Sequence, residues 1–81
     1  MSVWEVTRYS KGFLHKTSCI SIEMTYKNSW AVRCRSWCLN NKGKWEYEPM
    51  PSSRTDAFLK RCRFSTAKKA MTAADKAKEP L

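Results

Sequence analysis

Acidic residues are scarce in this chain: seven Asp and Glu stand against sixteen Lys and Arg, a formal charge of +9 on 81 residues. So lopsided a balance favours a polyanion or an acidic protein as partner, the alternative being charge that serves solubility alone. Glycine is nearly missing. With Gly12 and Gly43 as its two glycines, the chain has no glycine-rich phosphate loop. The lone histidine, His15, falls in an expected turn with no Ser or Cys nucleophile set against it, so an enzyme is not expected. No apolar run approaches the roughly 20 residues of a membrane-spanning helix. The opening MSVWEVTRYSKG has neither the charged start nor the apolar centre of a signal peptide. A cytoplasmic protein with reduced cysteines is the expectation, with no membrane partner.

Large aromatic residues are plentiful. Four Trp, three Tyr and three Phe give one small core the bulk it needs, each burying on the order of 150 to 250 Å². A chain this short forms one domain, 1–81.

Two stretches alternate with period two. In 17–26, Ile20, Ile22, Met24 and Tyr26 oppose Cys19, Ser21, Glu23 and Thr25. In 30–40, read as one strand, Trp30, Val32, Cys34, Ser36 and Cys38 oppose Ala31, Arg33, Arg35, Trp37 and Leu39. Lys27–Ser29 suits a hairpin connection, and Asn41–Gly43 a turn into a third strand around Trp45 and Tyr47. VWEVTRY adds a possible fourth strand, with KGFLHK as the turn after it. Two prolines end the sheet near residue 49, and TDAFLKRCRF has room for a helical turn or two from Asp56. Ser65 or Thr66 can cap a final helix whose Ala67, Ala70, Met71, Ala74 and Ala77 recur at helical spacing, with Pro80 marking its end. The predicted fold is α+β: an antiparallel three- to four-stranded sheet over 2–49, a basic loop over 50–64, and one C-terminal helix over 65–78 packed on one face.

Four cysteines and His15 are enough ligands for zinc, but Cys34 and Cys38 would sit about 13 Å apart along one extended strand. Neither one ion nor one disulfide spans that distance, so no metal or other cofactor is expected. A Cys19 bridge to Cys34 or Cys62 is open geometrically, and the reducing compartment argues against it. Cys62 lies within KRCRF, whose charge could lower its pKa, though an incidental thiol is the simpler reading.

The candidate binding residues are basic. Arg33, Arg35 and Trp37 would project from one strand face, guanidinium for phosphate or guanine and indole for stacking. Arg54, Lys60, Arg61, Arg63, Lys68 and Lys69 form a second cluster running into the helix. Pairing of Arg33 or Arg35 with Glu23, Glu46 or Glu48 is the structural alternative for the strand. For the second cluster, only Asp56 lies within the segment to neutralise it.

The stretch from WAVRCRSWC through WEYEPMPSSR to RFSTAKKA resembles short accessory proteins of tailed bacteriophages, over about 50 residues. That resemblance implies the infected bacterial cytoplasm and a role in binding host proteins or nucleic acid. FSTAKKAMTAADKA is similar to the helix entry of the AP2 and integrase type of DNA-binding domain, although that family's glycine before the Phe is Arg63 here. The functional expectation is a non-enzymatic protein that binds nucleic acid. The alternative is an inhibitor of an acidic or nucleic-acid-binding host protein. No small-molecule substrate is implied.

Overall fold

A computed structural model describes residues 3–7 and 12–78. It contains six strands, β1 (Trp4–Val6), β2 (Gly12–His15), β3 (Ser21–Tyr26), β4 (Ser29–Cys34), β5 (Trp37–Leu39) and β6 (Trp45–Tyr47), followed by helices α1 (Asp56–Cys62) and α2 (Ala67–Lys76). The strands form one antiparallel meander in chain order. The expectation of three to four strands with one helix is therefore overturned: among the described residues the α+β protein has six strands and two helices. KGFLHK, expected as a turn, supplies β2. The basic loop of 50–64 contains a 3-10 turn at Pro51–Ser53 and then α1. Ser2, Arg8, Tyr9, Lys11 and Pro80, which bear on the expected strand, turn and helix ends, lie outside the described residues. No helix among the described residues is long and apolar enough to cross a membrane.

The largest correction concerns 30–40. It is a hairpin, broken at Arg35–Ser36, with Cys34 opposite Trp37 and Arg33 opposite Cys38. A two-residue loop inverts the phase of the alternation, because residues directly opposite on neighbouring strands share a face. Trp37 and Leu39 thus join Val32 and Cys34, while Cys38 joins Arg33. Arg35 holds the turn at φ 59°, and Asn28 does the same at φ 57° between β3 and β4. Asparagine tolerates that region readily, whereas arginine is strained there by roughly 1 kcal/mol.

The two sheet faces carry different cores. On one, Ile20, Ile22, Val32, Cys34 and Leu39 are buried with Ala70 and Ala74 of α2, and Phe13, Trp30 and Trp45 close the margins. Small alanines on α2 let it approach the sheet, and Thr66 Oγ1 caps it by accepting from Lys69 N at 3.1 Å. On the other face Cys38 packs with Phe58 and Cys62, one helical turn apart on α1. Thr55 Oγ1 caps α1 by accepting from Phe58 N at 3.1 Å, and Asp56 in its first turn with Lys60 and Arg61 in its last suits the dipole.

The chain crosses between faces at Phe64. Short β5 leaves the start of β4 open on that side, and Phe64 and Trp30 exchange two backbone hydrogen bonds there, of 2.7 and 2.8 Å.

Gly12 sits where backbones nearly touch: a Cβ there would lie 2.5 Å from the Ile22 carbonyl oxygen. Gly12→Ala is expected to cost about 2 kcal/mol by forcing β2 off β3, read as a lower urea midpoint.

Candidate functional site

Most of the predicted arginines are engaged internally. Arg33 pairs with Glu23 and places Nη2 2.7 Å from Glu48 Oε2. Arg54 Nη2 reaches the same oxygen at 2.8 Å while its Nε donates to the Pro49 carbonyl at 3.1 Å. Arg63, with a side chain 7% exposed, lies 3.2 Å from Glu48 Oε1. That approach is off the line a hydrogen bond requires, so the attraction there is Coulombic. Arg63 Nη1 donates to the Cys62 carbonyl at 2.8 Å. Three guanidinium groups thus share Glu48. Burial pushes the Glu48 carboxyl up, but the hydrogen bond and charge of Arg33 and the charges of Arg63 and Arg54 outweigh it, leaving the group below its ordinary range. Burial likewise opposes the charge on Arg33, and its carboxylate partners raise its pKa overall.

A second pair ties α1 to β6. Arg61 holds Glu46 through two bonds of 3.0 Å, Nε to Oε2 and Nη2 to Oε1. Arg61 first, and the side-chain amide of Asn40 next, lower the Glu46 carboxyl to about 2. The second predicted cluster was expected to escape neutralisation because only Asp56 lies within it in sequence. Strand pairing instead brings Glu46 and Glu48 of the β6 segment beneath it.

The remaining predicted residues scatter. Lys60 is exposed on α1, beside a 330 Å³ hollow it lines with Ser29, Asp56, Leu59 and Arg63. Arg35 is exposed in the β4–β5 turn, away from the strand face of Arg33. Trp37 lies on the opposite face from Arg33, its ring edge-to-face with Tyr47 at 6.3 Å between centroids.

Lys68 and Lys69 reach a groove of about 550 Å³ between the β5–β6 turn and α2. Its lining brings in Lys42 and Lys76, which sequence reasoning had not selected, around Phe64, Thr72 and Ala73; among the described residues no Asp or Glu lines it. Lys68, Thr72 and Lys76 are spaced by four, so one helix face carries this wall. That spacing was available as a signal, whereas Lys42 is brought in by tertiary structure. Asn40 builds the opposite wall: buried, it accepts from Lys42 N at 2.9 Å and Lys44 N at 3.0 Å through Oδ1. Gly43, at φ 79°, completes the turn.

Cysteine chemistry differs from expectation. Cys19 and Cys34 form a disulfide with Cα atoms 5.2 Å apart, in place of the reduced pair expected. Cys38 and Cys62 are free thiols, both fully buried. Burial first, then the hydrogen bond that Cys62 donates to Cys38 and nearby negative charge, push the Cys62 thiol up, so the basic flanks do not activate it. Cys34 and Cys38 belong to opposite faces, so the hairpin, and not 13 Å of strand, separates them. No group of three or more metal-ligating side chains occurs among the described residues.

No protein-family model, curated protein or solved structure matches the chain.

Proposed function

We propose that this protein acts by binding rather than catalysis, and that it holds the phosphate backbone of nucleic acid in the groove between α2 and the β5–β6 turn. The observation that carries this reading is the sorting of charge. Arg33, Arg54, Arg61 and Arg63 are paired with carboxylates. Lys42, Lys68, Lys69 and Lys76 converge on one groove whose lining contains no acid among the described residues. Lysine is a compact point charge that holds phosphate without reading bases, so binding is expected to be weakly selective for sequence.

Four lysine–phosphate contacts predict a log–log salt slope of about −3.6 on duplex DNA and about −2.8 on a single strand, or roughly a 50- to 100-fold loss of affinity between about 50 and 200 mM salt. Fluorescence anisotropy with labelled oligonucleotides measures it. Lys68→Glu with Lys76→Glu is expected to weaken binding at least about tenfold and flatten the slope by about 2. Lys16→Glu, at the far end of the sheet beside Glu5, should leave affinity within about twofold. Absence of binding at about 50 mM salt, or equal effects of the two charge reversals, would remove the proposal.

A further inference from the structure

Resting on that reading, we infer that the ligand is single-stranded, and that its unpaired bases stack on Trp37 and Tyr47. These rings stand directly opposite each other on β5 and β6, edge-to-face, and are 36% and 67% exposed. An aromatic pair left open in a chain of +9 charge fits the π-faces of bases better than another apolar protein surface, which would gain nothing from the surrounding cations.

Position supports the same occupant. Strand parity places Trp37, Tyr47 and Trp45 on the face that α2 covers. Trp45 lies between the turn bearing Lys42 and the exposed pair, and its Nε1 donates to the Lys78 carbonyl, which brings the basic end of α2 alongside. From the Asn40 end of the groove to Trp37 is about 10 Å along β5. A strand seated on the lysines therefore reaches the aromatic pair within a few nucleotides, whereas stacked duplex bases present no faces to it. Arg35, in the turn beside Trp37, holds a backbone conformation glycine would adopt without strain. Arginine at this position puts an exposed cation two residues from Trp37 in the chain.

The test compares a labelled oligothymidine of about 16 nucleotides with a duplex of the same length. The single strand is expected to bind more tightly at matched salt. Tyr47→Ala and Trp37→Ala should each weaken it by about 5-fold to 100-fold and leave duplex affinity within about twofold. Trp37→Phe, which keeps a ring, should retain most of the affinity. Arg35→Gly suits the positive φ and so folds, and is expected to weaken single-strand binding as well. Duplex bound as tightly as single strand, with the ring variants harmless and Lys68→Glu still damaging, would overturn this inference and spare the groove. Loss of all oligonucleotide binding, with a bacterial protein held instead in a manner that Trp37→Ala abolishes, would overturn both in favour of a protein partner.

Discussion

Glu48→Gln is expected to destabilise the protein by about 3 to 5 kcal/mol, lowering its urea midpoint by roughly 3 M. The neutral amide keeps the shape of the side chain and removes its charge. Arg33, Arg54 and Arg63 would then face one another with Glu23 as the remaining carboxylate of the network. Arg63 suffers most, because its side chain is 93% buried and cannot turn to water. A domain of this size has about 4 to 12 kcal/mol in total, so the variant is at the edge of folding. Adding Arg63→Met to Glu48→Gln should recover a substantial part of the loss, since a buried cation leaves together with its missing partner. Equal midpoints for wild type and Glu48→Gln would show that the cluster is solvated. Acid should act in the same direction. Both Glu48 and Glu46 are depressed in the folded state, so their contribution is complete above the ordinary carboxylate range near 4.5 and fades as pH falls through the folded values, which for Glu46 means towards about 2.

Reducing the Cys19–Cys34 bridge is expected to cost about 3 kcal/mol, because it closes a loop whose ends are 15 residues apart and so restricts the unfolded chain. The melting temperature should then drop by roughly 12 to 20 °C. A paired melt with and without reductant measures this, and the Cys19→Ala, Cys34→Ala double variant should match the reduced protein. Thiol titration in denaturant without reductant should find two of the four cysteines, Cys38 and Cys62. Four reactive thiols, or identical melts, would contradict the bridge. The effect is large because the link joins the β2–β3 connection to the end of β4, beside the hairpin turn that carries Arg35.

Some of this architecture was legible in the residues. The alanine spacing and the Thr66 cap point to α2 because helix period and cap chemistry are local. Likewise Asp56 opens a short helix, and the alternation of Ile20, Ile22 and Met24 marks β3. What could not be read was the turn at Arg35–Ser36, since no Gly, Asn or Pro announces it. Missing that turn put Trp37 on the wrong face and joined Cys34 to Cys38. The fate of the arginines was hidden for another reason. Glu48 meets Arg33 and Arg63 across 15 residues in each direction, and only strand register and the return of α1 bring them together. Lys42 reaches the groove in the same way, from 26 residues before Lys68.

The Phe64–Trp30 crossing has a mechanical consequence. The bridge anchors the link between the helices in the middle of the sheet, α1 ending two residues before it and α2 beginning three residues after it, while α1 has a backbone tie of its own, Asn41 N donating to the Arg61 carbonyl at 2.7 Å. A pull on α2 is therefore transmitted to that anchor before it reaches α1, and the amides of Trp30 and Phe64 act as its strain gauge. While they stay protected from hydrogen exchange, load on the lysine side does not loosen the arginine side; once they open, the Asn41–Arg61 backbone bond and the Arg61–Glu46 pair are what keep α1 on the sheet.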